Sequence, residues 1–330
     1  MKELKVQLKS KDFSSLYLFT GEEKYLIDVY LNRFINLIFE GQDKMMNLDE
    51  FSQDSCNIDK IESSLETLPF FATKRVVVLK NLDLFNAKNK AKNERITTMI
   101  KQLSDSTICF IVEDKIDKRS KLYKTIKEKG VISVFGFLTE KELVQYVARE
   151  LNKSKIKISA YDAKYLIETV GYELRSISKE VSKLIDYVGN NEVATKKDID
   201  DVCTKHLEAK IFELVDAVGS KNREKALFLY KDMIALKEPT TRILFMISRQ
   251  MTLIYETKLM NLKRLGSSQI AKELKVPEFV VRKLDMQGKH FSSNGIKETI
   301  KELVELEYGF KSGRINLETG IELMILKLAK

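Results

Sequence analysis

Up to about position 137 the chain alternates two hydrophobic periods. Short apolar runs rich in β-branched or aromatic residues predict strands buried on both faces at 15–20, 76–79, 107–112 and 131–135. Between them apolar residues recur at spacings of three and four. Tyr25, Leu26, Val29, Tyr30, Phe34, Leu37 and Ile38 mark a helix over 22–39, and shorter helices are predicted over 58–68, 91–103 and 121–129, the last stopped by Gly130. Strands separated by helices of this length predict a parallel sheet with right-handed crossovers. After Phe137 the strand pattern stops. Thr139 with Glu142 three residues on is a helix start, and helices follow over 143–152, 159–170 and 172–188. From about Ala209 the pattern is helical again, with Ala226, Leu227, Tyr230, Met233 and Ile234 forming one stripe. The stretch 243–265 is apolar on more than one face, which predicts a central, heavily buried helix, and 317–328 is similar. The pattern predicts an α/β domain over 1–137, a small helical domain over 138–208 and a second helical domain over 209–330.

One connection departs from this regularity. Leu68, Phe70 and Phe71 flank Pro69, which lacks a backbone donor and disfavours helix at Leu68. The two rings therefore fall on the link into strand 76–79. Large apolar groups on such a link either anchor the loop to the core or wait for a partner, and the local pattern does not choose between them.

Composition narrows the class. A chain of 330 residues, 44% apolar and 32% charged, is that of an ordinary folded protein with two or three domains. Its longest apolar runs are too short to span a bilayer. The segment 1–10 alternates Lys with apolar residues and lacks the apolar core of a signal peptide. Cys56, Cys109 and Cys203 are far apart and odd in number, which fits neither a disulfide framework nor a zinc site and predicts a reducing, cytoplasmic setting. The net charge of +9 is uneven: basic residues exceed acidic ones by three over 1–137, fall one short over 138–208 and exceed them by seven over 209–330. A basic excess favours a polyanionic neighbour, although Lys is also the common way to solubilise a helical surface. The basic stretch 88–95 is expected to be a solvated loop and helix start.

Catalytic chemistry is hard to find. A strand over 15–20, a turn with Gly21 and a helix is where a nucleotide-binding protein grips phosphate. That grip needs several glycines, a Lys and a Ser or Thr. The turn here is Thr20-Gly21-Glu22-Glu23-Lys24-Tyr25, with one Gly and two carboxylates that suit a helix N-terminus. Strand 76–79 runs into Lys80-Asn81-Leu82-Asp83, where a magnesium-holding NTPase would place consecutive acids. His206 and His290 are far apart without a paired nucleophile or metal spacing. Asp114, Asp117, Asp198, Asp200 and Asp201 fall in loop or cap settings. No catalytic constellation, cofactor site or metal site is predicted.

Several segments resemble one family. Leu16-Tyr17-Leu18-Phe19-Thr20-Gly21-Glu22-Glu23 followed by Tyr25-Leu26 resembles the opening strand and turn of the delta subunits of bacterial DNA polymerase III. Thr67-Leu68-Pro69-Phe70-Phe71-Ala72-Thr73-Lys74-Arg75 resembles that family's clamp-binding element. Gly171-Tyr172-Glu173-Leu174-Arg175, with Glu180, Lys183 and Leu184, resembles its second-domain signature. Phe212-Glu213-Leu214-Val215-Asp216-Ala217, Ile247-Ser248-Arg249-Gln250, Ile270-Ala271-Lys272 and Lys311-Ser312-Gly313 resemble parts of its C-terminal domain. The order and spacing of these segments, over essentially the whole chain, carry the resemblance.

The resemblance implies an AAA+-like parallel-sheet domain without a phosphate loop over 1–137, a helical lid over 138–208 and a helical collar that oligomerises over 209–330. It implies a clamp-loader subunit that binds and opens the sliding clamp, the beta subunit, during replication. Its other partners would be tau/gamma and delta-prime subunits in a heteropentamer, and primed DNA through that complex, with no membrane. ATP would be bound by neighbouring subunits. The chain would have no catalytic activity or cofactor of its own, although it belongs to a DNA-directed DNA polymerase, a nucleotidyltransferase. Leu68, Pro69, Phe70, Phe71, Lys74 and Arg75 would bind the clamp, with Phe70 and Phe71, and Leu68 beside them, entering an apolar pocket and Lys74 and Arg75 at the rim. The Ser-Arg-Cys finger of related ATPase subunits is missing after strand 107–112, where Glu113-Asp114-Lys115-Ile116-Asp117-Lys118-Arg119-Ser120 stands, so Arg119 is not assigned as a finger. Arg175 stands where active relatives use a nucleotide-sensing Arg, and without a phosphate loop it is expected to be structural. Two other classes remain: a basic helical nucleic-acid-binding protein and a divergent AAA+ NTPase.

Overall fold

The computed structural model describes residues 2–41, 44–53, 57–189 and 192–329, so Cys56 lies outside the described residues. Two compact units divide the chain, 1–137 and 138–330.

In the first unit the elements run α1 (Lys2–Ser10), β1 (Leu16–Thr20), α2 (Lys24–Ile38), β2 (Leu48–Phe51), α3 (Ile58–Glu66), β3 (Arg75–Lys80), α4 (Lys90–Lys101), β4 (Thr107–Val112), α5 (Lys121–Lys129) and β5 (Val131–Val134). The five strands form one parallel sheet in the order β2-β3-β4-β1-β5. Side chains alternate across β1, β3 and β4, and both faces are covered. Leu16, Leu18, Val77, Leu79, Cys109 and Ile111 join Ile61, Leu65, Ile96, Ile100, Leu122 and Ile126 in one layer. Tyr17, Phe19 and Phe110 form the other with Phe34 and Phe135, and Tyr17 stacks on Phe110 at 4.7 Å between centroids. Double coverage is why these strands were continuous apolar runs.

Two elements were not anticipated. Strand β2 carries two acids in four residues and sits at the sheet edge, paired in register with Val76–Leu79 of β3. Helix α1 buries Leu4 and Leu8, one turn apart.

The second unit contains α6 (Glu140–Lys153), β6 (Lys157–Ile158), α7 (Ala160–Val170), α8 (Leu174–Val188), β7 (Val193–Ala194), α9 (Lys196–Val202), α10 (Leu207–Gly219), α11 (Arg223–Ala235), α12 (Thr240–Leu262), α13 (Ser267–Leu274), α14 (Glu278–Gly288), α15 (Ser293–Lys311) and α16 (Leu317–Leu328). The predicted start at Thr139 is a capping box with Glu142. The predicted loss of all strand structure after Phe137 is corrected: β6 and β7 pair as a short parallel ladder. Helix α12 is central, with Ile243, Leu244, Ile247, Met251 and Ile254 in the main core. It is less buried than its sequence suggested, because Phe245 and Leu262 face solvent. In the connection before α8 the ring of Tyr172 meets Phe279 of α14 edge-on at 4.9 Å, and Lys283 lies over the Tyr172 ring and 3.6 Å from Glu168.

Helix ends in this unit share an uncommon feature. Lys155, Lys221, Lys237, Arg264 and Lys275 all take the left-handed conformation just past a helix. In each case the following amide closes the end; Ile156 N–H donates to Leu151 O at 3.1 Å and Asn222 N–H to Ala217 O at 2.8 Å. Gly usually holds this place, and here a cation near the final carbonyls offsets part of the strain.

Candidate functional site

The link between α3 and β3 displays its apolar side chains. Asn57 caps the start of α3 by accepting from the Asp59 and Lys60 amides. At its end the Thr67 hydroxyl donates to Ser63 O at 2.6 Å, and the backbone turns extended into Leu68 and Pro69. Leu68 is 71% exposed, Phe70 53% and Phe71 89%. The rings meet edge-to-face at 4.6 Å. Phe71 has φ +49°, a left-handed conformation that costs a bulky residue energy and persists only when its surroundings impose it.

The restraint comes from below the loop. Asn47, fully buried, accepts from Phe70 N–H through Oδ1 at 2.6 Å and donates through Nδ2 to Phe70 O at 2.8 Å. Its own carbonyl accepts from Val76 N–H at 2.8 Å, so one residue ties the loop to the first residues of β3. Sequence reasoning missed Asn47, because a polar residue in an unassigned stretch gives no local sign of its partner 23 residues away.

Lys74 lies at the loop's edge and donates to Asp105 O at 2.6 Å. Arg75 requires a correction, because it is buried and not at a rim. Its Nε donates to Ser64 O at 2.9 Å, its Nη1 to Met46 O at 3.1 Å, and its Nη2 pairs with the Asp49 carboxylate, which also accepts from Ser64 Oγ. Arg75 thus binds the end of α3, the lead into β2 and β2 itself. It positions the loop.

The turn after β1 packs closely against the main chain that follows β5. Gly21 has φ +129°, and a Cβ there would stand 2.2 Å from Phe135 O. That carbonyl accepts from Glu23 N–H at 2.9 Å, while Phe135 N–H donates to Thr20 O at 2.7 Å. Lys24 pairs with Asp114, and Lys80 with Asp28 at 2.7 Å. Past β4, Glu113 is buried and accepts from Leu84 N–H at 3.1 Å; burial pushes its carboxyl up to about 7.

The remaining candidates are scattered. His206 immediately precedes α10 without a side-chain cap and lies 3.7 Å from Glu180, Asp198 closes a capping box with Thr195, and Asp200 accepts from the Tyr165 hydroxyl. Asp117 pairs with Arg119, whose side chain is almost fully exposed. Among the described residues no group of three His, Cys, Asp or Glu could hold a metal ion, and no helix is long and apolar enough to cross a membrane.

These features meet a known family. A family model described as DNA polymerase III, delta subunit, matches residues 17–135, and one described as that subunit's C-terminal domain matches 208–328. The chain belongs to the DNA polymerase III delta-subunit family. It is 28% identical to DNA polymerase III subunit delta of Bacillus subtilis, over 98% of this chain and 95% of that one. It is 25% identical to the probable DNA polymerase III subunit delta of Aquifex aeolicus, over 88% and 83%. The solved structure of the Bacillus subtilis DNA clamp loader delta protein matches with a TM-score of 0.83 and 26% identity, covering 99% of each chain. In this delta-family chain the parallel sheet, from the second residue of β1 onward, and the Pro-Phe-Phe loop both fall within the first matched segment.

Proposed function

We propose that this chain binds and opens the sliding clamp as the delta subunit of a clamp loader, acting through binding energy and not through ATP hydrolysis. The observation that carries this reading is the exposed Leu68-Pro69-Phe70-Phe71 loop, held rigid by Asn47 and Arg75. An aromatic side chain offers about 200 Å². At about 25 cal/mol per Å², burying the exposed parts of both rings is worth roughly 7 kcal/mol before ordering costs. Moving an open-to-closed ratio from 1:99 to 99:1 takes about 5.5 kcal/mol of differential binding. Two rings therefore suffice only if most of their binding energy goes to the open state, with the clamp interface beside the pocket as the bistable element. Lys74 adds orientation at the rim.

ATP would be held by neighbouring tau/gamma subunits, a reading supported by a turn after β1 that offers one Gly and two carboxylates and whose Lys24 is paired with Asp114. In this reading 138–208 is the lid and 209–330 the collar that joins delta-prime and tau/gamma in a cytoplasmic heteropentamer on primed DNA. The test is a nucleotide-free titration of the cognate clamp with wild type and Phe70→Ala/Phe71→Ala. Loss of two hot-spot rings, at about 2 kcal/mol each, predicts a Kd at least ~100-fold higher. Equal affinity for both proteins would end the assignment.

A further inference from the structure

Beside the Pro-Phe-Phe loop the chain exposes a second pair of flexible apolar side chains, Met45 at 92% and Met46 at 57%. They lie in the turn that leads into β2, where Asn47 N–H donates to Lys44 O at 3.3 Å. Two ties join this turn to the Phe70–Phe71 loop. The Asn47 side chain holds both backbone polar groups of Phe70, and Arg75, at the start of β3, donates to Met46 O. Met46 is thus the immediate neighbour of a buried residue that bonds Phe70 directly, and the two exposed apolar pairs share one rigid mount.

We infer that Met45 and Met46 form a second wall of the docking surface and contact the same sliding clamp as Phe70 and Phe71. This rests on the reading of the Pro-Phe-Phe loop given above. The occupant is the clamp because Asn47 and Arg75 tie the Met45–Met46 turn to that loop. The chemistry suits the place. Rigid rings fill a preformed pocket, whereas unbranched thioethers adapt to the irregular surface around it and make favourable sulfur–aromatic contacts.

Methionine oxidation reads this surface directly, because peroxide converts an accessible thioether to its sulfoxide with loss of water. The full chain is treated with dilute hydrogen peroxide, free and with saturating clamp, and sulfoxide formation is followed at each Met by peptide mass spectrometry. Clamp should slow oxidation of Met45 and Met46 at least about fivefold. Met286, 55% exposed in the second unit, serves as the accessible control, and buried Met233 as the protected one. In parallel, Met45→Gln/Met46→Gln should raise the clamp Kd about five- to tenfold, since it removes apolar contact but leaves the buried mount intact.

Unchanged oxidation in a complex whose formation is verified would overturn the inference and leave the Pro-Phe-Phe reading standing. Full affinity and full protection in Phe70→Ala/Phe71→Ala would instead overturn the reading on which it rests. Protection that grows with the chain's own concentration, without clamp, would assign the surface to a second copy of this chain and also overturn it.

Discussion

Replacing Asn47 by Ala should weaken clamp binding without touching the surface that binds. The two hydrogen bonds from Asn47 to the Phe70 backbone, at 2.6 and 2.8 Å, are worth about 2 kcal/mol net together. Against them stands the left-handed φ of Phe71, at about 1 kcal/mol. The balance of about 1 kcal/mol favours the displayed loop by roughly five to one, and losing both bonds reverses it to roughly one to five. Apparent affinity scales with the competent fraction, so the clamp Kd should rise about fivefold in Asn47→Ala. Asn47→Asp keeps an acceptor for Phe70 N–H but loses the donor to Phe70 O, and should fall between. The assay is a titration of fluorescently labelled clamp, with urea unfolding in parallel to show that the variants still unfold cooperatively. Affinity within twofold of wild type in a folded Asn47→Ala chain would refute the claim that Asn47 preorganises the loop.

Other perturbations test the frame. Arg75→Met leaves the Asp49 carboxylate and two backbone carbonyls without their partner, and should lower unfolding free energy by about 3 kcal/mol or more in urea titration; Arg75→Lys should recover only part. Glu113 has a folded-state carboxyl near 7 against about 4.3 when unfolded. The folded state therefore binds more protons between these values, and stability falls as pH rises through that window. The full effect is about 4 kcal/mol. Glu113→Gln keeps a carbonyl acceptor for Leu84 N–H and should flatten that slope, with the largest gain over wild type above pH 7. Lys155→Gly and Lys221→Gly should each stabilise by about 0.5–1 kcal/mol, seen as a rise in Tm, because Gly takes the left-handed helix end without strain.

Strands β1, β3 and β4 were legible because a parallel sheet covered on both faces leaves a continuous apolar run at each strand, and the edge strand β5 was legible from its β-branched Val131, Ile132 and Val134 just after Gly130. Strand β2 was not. Leu48-Asp49-Glu50-Phe51 is an edge strand whose acids are tolerated by partners far along the chain, Arg75 and Ser64 for Asp49, and such pairing is set by context more than by propensity. The two-residue strands β6 and β7 are too short to leave a period. Helix α1 left a faint mark, Leu4 and Leu8 one turn apart. At the proposed docking site the apolar display was legible in Leu68, Phe70 and Phe71 around a proline, but its mount was not. Arg75 follows Lys74 and resembles a surface charge until its acceptors 11 to 29 residues away are seen. Met45 and Met46 gave no sign of lying beside Phe70, because Asn47 makes that link only in three dimensions.

The central claim is that the loop's binding energy opens the clamp, and release of clamp from circular DNA measures this most directly. Clamps loaded on nicked circles are mixed with the isolated chain in the absence of nucleotide, and free clamp is separated from DNA by gel filtration over time. The account predicts that wild type accelerates release, that Phe70→Ala/Phe71→Ala does not, and that adding magnesium-ATP changes neither rate. Release by the double variant at the wild-type rate, or release by wild type only when ATP is present, would contradict it.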